Sequence, residues 1–583
     1  MLPLESLLRH LNLSSGKGNI KSGENTIERR LRSYFNVVLL SPMPLTRVQI
    51  HQKVYYYTLI LIAVSLPLSI FTTSMFQLLL LANWLVELGY REKWRKVASN
   101  RALQVFLLLF GLHVVGLLWS SNMDYAMLDF KIKLPLLAFP VILATSNPLD
   151  SKQVRRILLF FSLGVLAASM ASVLRLTGWI LGGIEGYRDL SLFISHIRFS
   201  LMIVLAILVS VYFLFISRDS LRWVEKAYYA AVLIWFPVFL LLLKSLTGIA
   251  ITGLLAFFLL LRALFEIRDP VIRFMLLVPM LMIPLFSLLY LNHSIEKYYT
   301  FDELVKEDLD TYTSEGSRYK HRITNREVEN GHYTWIYVCE EELEQEWNKV
   351  SSLSYRDTTS SGQSVRVTLI RFLTSRGLRK DAAGVRQLSE GEIVAIEKGT
   401  TNHIFMKRFR LYPRIYEVIW EVDRYKRGYP PNDKSLVQRY LYLQAGWSIA
   451  RNHLLIGVGN GDVKQEFKNY YNSVDSPLEE EYRVRAHNQF LTFLISFGVP
   501  GFLIFLLALV APLYLAGRQR SFFAAGFLVL LMLSMLSEDT LETATGAGFS
   551  AFFYALFVFG PNFPWLRSRH QKANSQSSSK ADD

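Results

Sequence analysis

His487 is the residue of this sequence with the clearest chemical potential. It lies where the polar stretch 479–485 ends and an apolar run through residue 513 begins, so its ring is expected at the water-facing mouth of a membrane helix. Histidine exchanges protons readily, and Arg483 and Arg485 just before it can hold an anionic group. The junction predicts a base beside cations, with Asn488 and Gln489 as adjacent acceptor-binding or orienting side chains.

Charged residues at the outer ends of other apolar runs are expected in the same site. Arg198 begins a long apolar helix, where a charge is costly unless it faces a cavity or a partner; the alternative is that it snorkels to the interface. Glu538 and Glu542 crowd the last outer link, where a carboxylate could orient His487 or accept hydrogen bonds from substrate hydroxyls. Simple solvation of that link is the alternative. Further cations of this kind are Arg439, Arg451 and Lys464.

Glycines precede the His487 junction in a compact motif. Gly457, Gly459 and Gly461 could form a backbone nest for an anion, or a turn that returns the loop to the membrane. No cluster of Asp and His ligands is evident, so we expect neither a metal nor a cofactor. Cys339 stands alone, which excludes an intrachain disulfide.

Composition places most of the chain in lipid. Hydrophobic residues make up 51% of it, and many runs can cross a hydrocarbon layer of roughly 30 Å. The fold class predicted is an all-α polytopic membrane protein with about twelve transmembrane helices. The net charge of +15 does not indicate nucleic acid, because the basic residues gather in short links between apolar runs, as orientation in a membrane requires.

The charge pattern also divides the chain. Two predicted strands, 333–338 and 365–373, are rich in β-branched and aromatic residues and make the long insert an α+β domain. Basic links place the termini in the cytoplasm and the insert outside. The predicted parts are a basic cytoplasmic arm (1–53), transmembrane helices 1–9 (54–291), a large outer loop domain (292–486), transmembrane helices 10–12 (487–560) and a cytoplasmic tail (561–583).

Three short motifs carry a resemblance to a known family. They are IGVGNG at 456–461, AHNQFL at 486–491 and FGVPG at 497–501, in this order at the end of the large loop. This arrangement resembles the O-antigen ligase and O-antigen polymerase family of membrane proteins. One departure lies on a mid-chain helix: the family commonly has Ser-Arg-Gly or Ser-Arg-Thr-Gly, whereas Leu246 here stands where an arginine is expected and Lys244 supplies a charge from the same turn.

The resemblance implies an enzyme of the bacterial inner membrane with its site facing the periplasm. Its donor would be a glycan on undecaprenyl pyrophosphate, its acceptor a hydroxyl of a lipid A-core, and the transfer inverting and metal-independent. In the family, the histidine matching His487 is regarded as catalytic, and arginines at outer helix ends hold the pyrophosphate; here these would be Arg198, Arg483 and Arg485, with Lys244. The alternatives are a polymerase that uses a second lipid-linked glycan as acceptor, and a transporter of lipid-linked glycans.

Overall fold

The structure is a computed structural model that describes residues 46–177, 190–217, 221–267, 269–302, 309–325, 327–406, 411–432 and 435–564. The chain is mostly helical within these ranges. The basic arm before residue 46, part of the predicted outer loop at 182–195 and the tail from residue 565 lie outside the described residues.

Helices fill the described chain before the insert. Several begin at a polar side chain that accepts from a backbone amide of the first turn, among them Thr46, Asn100 and Asp150. These helices are α1 (Arg47–Ser65), α2 (Ile70–Val86), α3 (Tyr90–Ser99), α4 (Arg101–Gly116), α5 (Met123–Thr145), α6 (Ser151–Leu176), α7 (His196–Val211), α8 (Trp223–Leu242), α9 (Leu246–Glu266) and α10 (Pro270–Tyr299).

The insert contains one small hairpin and several short helices. Strands β1 (Val328–Glu329) and β2 (His332–Tyr333) pair antiparallel. The helices are α11 (Glu340–Val350), α12 (Val365–Ser375), α13 (Ala382–Arg386) and α14 (Glu390–Glu397). They enclose a separate core around Leu343, Trp347 and Leu369.

The strand predicted at 365–373 is wrong, because this segment is helix α12. Val365, Leu369, Ile370, Phe372 and Leu373 are fully buried, and their spacing matches one face of a helix rather than strand alternation. Tertiary burial of that face outweighs the β-propensity of the branched residues. At 333–338 only the first residue belongs to a strand. The α+β description of the insert is therefore not confirmed; its described residues are mainly helical.

The chain then returns from the insert to the membrane bundle. Helix α16 (Ser435–Asn452) packs on α17 (Val463–Ser473) and on α18 (Gln489–Leu515). Helix α18 also packs on α4, and the last helix packs on α5. α10 runs past residue 291 to Tyr299, and its end packs on α15. These final helices are α15 (Tyr412–Lys426), α16 (Ser435–Asn452), α17 (Val463–Ser473), α18 (Gln489–Leu515), α19 (Phe522–Ser537) and α20 (Ala544–Phe559).

The prediction of twelve spans is not confirmed. Seven described helices are long and apolar enough to cross a membrane, or eight if α2 and α3, bent by 108°, count as one broken span. α5 is not among the seven; it carries Asp129 and Lys133 in its interior and packs between α4 and α20. α19 and α20 are apolar but short. The protein is accordingly a multi-pass helical membrane protein with fewer clear spans than hydropathy suggested.

Candidate functional site

His487 occupies the last position before the capping residue of α18. The Asn488 side chain caps this helix by accepting from the Leu491 amide at 2.9 Å. His487 has a φ of +49°, a left-handed conformation that costs about 1–2 kcal/mol in a residue other than glycine. Its ring lies beside Tyr442, with centroids 5.7 Å apart, and 39% of the side chain is exposed. The imidazole is held on one side and open to solvent on the other.

Glu538 is the acidic neighbour of this histidine. Its Oε2 lies 3.6 Å from His487 Nδ1, and its Oε1 accepts a hydrogen bond from Arg439 Nη2 at 3.1 Å. The Glu538 side chain is only 6% exposed. Because Arg439 lies on α16 and Glu538 directly follows α19, a helix of the insert and the link before α20 meet at the imidazole.

Arg198 reaches the same link from the start of α7. Its Nε donates to Thr543 Oγ1 at 2.8 Å, and its charge interacts with Glu538, Asp539 and Arg485. The side chain is half-buried. A helix far away in sequence thus brings its guanidinium to the link that carries the carboxylate facing the histidine. We call His487, Glu538, Arg439 and Arg198 the His487 cluster.

A second set of charges lies beneath the surface. Glu542 Oε1 is 2.9 Å from both Lys133 Nζ and Gln489 Nε2, and its Oε2 is 3.3 Å from Arg485 Nη1. Lys133 also donates to Asp129 Oδ1 at 2.8 Å. We call Asp129, Lys133, Arg485, Gln489 and Glu542 the buried cluster. It ties α5, α18 and the link before α20 together through charge-assisted hydrogen bonds.

The buried cluster continues inward through Asp129. Asn460 Nδ2 donates to Asp129 Oδ2 at 3.4 Å, and His113 Nε2 lies 3.9 Å from the same oxygen. The Gln489 Oε1 accepts from the Leu541 amide at 2.7 Å. Every carboxylate here has several polar partners, as buried charge requires.

Electrostatics in the link follow from burial and these pairings. Burial alone would lower the pKa of the Arg485 guanidinium, but Glu542 and Asp539 raise it above its ordinary value. Burial alone would raise the pKa of Glu542, yet Lys133 and Arg485 pull it well below its usual range. Burial raises the pKa of Asp539, and Arg485 offsets only part of that effect. Arg485 and Glu542 are therefore both charged at neutral pH.

Arg483 has different surroundings from Arg485, although the two were predicted to act together. Its Nε donates to Leu478 O at 2.9 Å and its Nη1 to Asn472 Oδ1 at 3.0 Å. It lines a cleft of about 480 Å³ whose other lining residues include Lys464, Lys468, Tyr125 and Glu480. The cleft is lined by three cations and one acid.

Lys244 lies in the tight turn between α8 and α9. It is exposed and has a φ of +50°. Gly248, one turn into α9, packs so closely on α7 that an added Cβ would lie 2.7 Å from Ser200 Cβ. Because Ser200 follows Arg198 by half a turn, this contact holds the Lys244 turn near the outer end of α7.

The predicted glycine motif forms a turn that packs against α18. Gly457 and Gly459 have φ values of +77° and +86°, and a Cβ on Gly457 would lie 2.4 Å from the backbone of α18. The Val458 and Gly459 amides donate to the carbonyls of Ile495 and Ser496 at 2.9 Å. The Gly461 amide donates to Ser120 Oγ at 3.0 Å. These amides bind protein acceptors, so the motif docks the loop where Gly498 kinks α18.

Three contributors were absent from the predicted site: Tyr442, Lys133 and Asp129. The last two carried a usable signal, since an acid and a base four residues apart within an apolar helix form a buried pair more readily than a solvated one. Tyr442 carried none, because its contact with His487 depends on how α16 packs on α18.

Among the described residues, no group of three or more His, Cys, Asp or Glu side chains is arranged to hold a metal ion. Comparison with known proteins adds one finding. Residues 411–506 match a family model described as O-antigen ligase. The match includes Arg439, Tyr442, the glycine motif and His487, and excludes Arg198, Lys133 and Glu538. No curated protein matches the chain at a significant level.

Proposed function

Because the chain carries the domain of the O-antigen ligase family, we propose that it transfers a glycan from undecaprenyl pyrophosphate to a hydroxyl of a lipid A-core acceptor. The site would face the periplasm from the bacterial inner membrane. The observation that carries this proposal is the His487 cluster: a half-exposed imidazole facing a buried carboxylate, with Arg439 bound to that carboxylate and Arg198, at the start of an apolar helix, bound to the same link.

His487 acts as the general base in this proposal. Since Nδ1 faces Glu538, the tautomer with a proton on Nδ1 is favoured and Nε2 is left to accept a proton. The 3.6 Å separation is longer than a hydrogen bond, and such contacts commonly shorten when substrate binds. As the acceptor oxygen attacks the anomeric carbon, its proton passes to Nε2.

The leaving group departs on the opposite face of the sugar. The bond between the anomeric carbon and the phosphate oxygen breaks, the diphosphate keeps the electron pair, and the configuration at that carbon inverts. Cations stabilise the charge that develops there. Arg198 is the proposed first contact because, among the described residues, its hydrogen bond to Thr543 uses Nε and leaves the Nη atoms for phosphate; Lys244 in the neighbouring turn is the proposed second.

Arg483 is assigned to the acceptor rather than the donor. The cleft that it lines with Lys464 and Lys468 is positively charged. Arg483 itself precedes His487 by four residues in the chain. An acceptor core that carries phosphates fits such a surface. A polymerase would need the same donor site and a second lipid-linked glycan as acceptor, so the acceptor decides between these two activities.

Reconstitution tests the proposal directly. The purified chain in proteoliposomes is given an undecaprenyl-pyrophosphate-linked glycan with either a lipid A-core or a second lipid-linked glycan, with and without chelator. We expect product only with the lipid A-core, unchanged by the chelator, and transfer by His487→Ala slower by about 10²–10⁴-fold.

The matched control is His453→Ala, an exposed histidine of the same family segment. It should transfer at the wild-type rate. Product formed only with the second lipid-linked glycan would identify a polymerase, and full transfer by His487→Ala would rule out this mechanism. Movement of the donor across the bilayer without any transfer would identify a transporter.

A further inference from the structure

A pocket in the insert brings arginine and aromatic side chains together away from His487. It lies between the outer end of α10, the β1 hairpin, α12 and α15, and has a volume of about 110 Å³. Its lining includes Tyr298, Phe301, Arg371, Trp420, Arg424 and Tyr429. The chemistry of this lining differs from that of the His487 cluster, since several aromatic side chains line the pocket together with the arginines.

The acidic residues of the pocket already have partners. Glu329 accepts from Arg371 Nε at 2.7 Å and from Asn402 Nδ2 at 2.8 Å. Asp423 Oδ2 lies 2.9 Å from Arg427 Nε. These pairs neutralise two carboxylates and engage two of the three arginines that line the pocket.

Glu327 is engaged by neutral donors. It accepts from Trp335 Nε1 at 2.7 Å and from the Tyr429 hydroxyl at 3.1 Å. The Tyr429 hydroxyl is thereby fixed, and its ring is positioned at the wall of the pocket. The same ring supports a guanidinium group.

Arg424 is the third arginine that lines the pocket, beside Arg371 and Arg427, which are paired with carboxylates. Its guanidinium lies over the rings of Tyr429 and Trp420, with Cζ 4.0 Å and 5.0 Å from their centroids. Within the described part of the chain no carboxylate hydrogen-bonds it. Contact with two rings restricts the group, and its N–H donors have no carboxylate partner among the described residues. A guanidinium in this state can bind a carboxylate or phosphate through two parallel hydrogen bonds.

We propose that this Arg424 pocket binds one anionic sugar unit, a hexuronate or a sugar phosphate, of the glycan that the enzyme handles. The guanidinium edge of Arg424 takes the anionic group, and the aromatic wall formed by Tyr298, Phe301 and Tyr429 takes the apolar face of the sugar ring. This assignment of a subsite rests on the proposed function, while the binding step itself does not require transfer.

The pocket is structurally continuous with the candidate active site. The Leu436 amide at the start of α16 donates to Glu421 Oε2 on α15 at 3.2 Å. Arg424 follows Glu421 on α15 and Arg439 follows Leu436 on α16, each by about 5 Å of helix rise. The helices that carry Arg424 and Arg439 are therefore in direct contact, as a glycan that occupies both places requires.

Ligand-observed saturation-transfer NMR on the full chain in nanodiscs tests the proposal. The probes are methyl glucuronide, glucose 6-phosphate, methyl glucoside and inorganic phosphate. We expect one or both anionic sugars to bind wild type, with the neutral glucoside and free phosphate much weaker. Arg424→Gln should weaken the binding by about tenfold or more, the usual loss for a charged hydrogen bond. Arg424→Lys should lie between, because an ammonium keeps the charge without the planar fork.

The matched control is Lys426→Gln, an exposed cation two residues along the same helix, which should bind like wild type. His487→Ala should also bind like wild type, which separates this inference from the catalytic proposal. A thermal midpoint for each variant establishes that it is folded. Equal binding of glucoside and glucuronide, binding of free phosphate as tight as that of the sugars, unchanged binding by folded Arg424→Gln, or no binding of either anionic sugar would overturn the proposal.

Discussion

The buried cluster and the His487 cluster share the short link between α19 and α20, yet they expose very different amounts of charge. The side chains of Lys133 and Glu542 are 0% and 8% exposed, whereas those of His487 and Arg439 are 39% and 41% exposed. In the buried cluster each carboxylate oxygen has a partner. In the His487 cluster the imidazole keeps one open side. The difference indicates that one cluster holds the link in place and the other is accessible to substrate.

The largest expected effect is on transfer by the open cluster. Replacing His487 with Ala removes the proposed base, and general base catalysis contributes about 10²–10⁴-fold. We expect kcat to fall by that amount, with the thermal midpoint close to wild type because the ring is half-exposed. The measurement is steady-state transfer in proteoliposomes beside His453→Ala. A large loss of stability with little loss of kcat would reverse the roles assigned to the two clusters.

Breaking the buried cluster should act mainly on stability. Lys133→Met removes the cation shared by Asp129 and Glu542 and leaves buried carboxylate charge uncompensated, at a cost of about 3–5 kcal/mol. We expect a clearly lower thermal midpoint in detergent. Lys131→Met, an exposed lysine on the same helix, is the control and should melt like wild type. If both variants melt alike, the buried cluster does not stabilise the link.

Glu538→Gln distinguishes positioning of His487 from general stabilisation of the fold. An amide keeps the size of the side chain but does not favour a proton on His487 Nδ1, so we expect kcat to fall by about tenfold with the donor KM unchanged. The pH dependence of kcat should shift as well, a change that a purely structural role would not produce. Glu481→Gln, at an exposed position beside the cleft segment, should leave both kinetic constants alone. A change confined to KM would contradict positioning.

The smallest expected effect is the pH dependence of the buried cluster. The pKa of Glu542 is lowered in the folded state, so its stabilisation is present above the unfolded value of about 4.3 and is lost as the pH falls below it. The midpoints of wild type and Glu542→Gln should therefore differ at pH 7, and the gap should narrow only as the pH falls from about 4 toward the lowered folded pKa. Asp539 is present in both proteins, so its opposite titration largely cancels. A gap that widens at low pH would contradict the assigned pairing.

Much of the His487 cluster was predictable because a membrane restricts where charge can lie. His487, Arg198 and Glu538 were each predicted at the outer end of an apolar run from hydropathy and the distribution of basic residues, so all three were expected at the same face of the bundle. The contact of Tyr442 with His487 and the ion pair of Lys133 with Glu542 were not predictable in the same way. They join segments distant in sequence, and their partners depend on how α16 meets α18 and how α5 meets α20.

The sequence pattern predicted the wrong secondary structure at 365–373, where burial of a helix face outweighed the β-propensity of the residues. The branched residues of α12 favour a strand, but its apolar face completes the core around Trp347 only as a helix. The twelve spans predicted from hydropathy are not confirmed either; α5, for example, combines an apolar composition with a buried ion pair. In both places the deciding free energy comes from contacts with other elements.

The sequence by itself determined that the chain is a multi-pass helical membrane protein and that cations and a histidine gather at one side of it, because lipid excludes charge from most other positions. It also determined the motifs of the 411–506 segment. Only the tertiary structure decided which acid meets which base. Arg485 pairs with Glu542 whereas Arg483 lines a cleft, although only one residue separates the two arginines in the sequence. The physical reason is that a buried charge takes its partner from whichever helix packs against it, and helix packing is a property of the whole bundle.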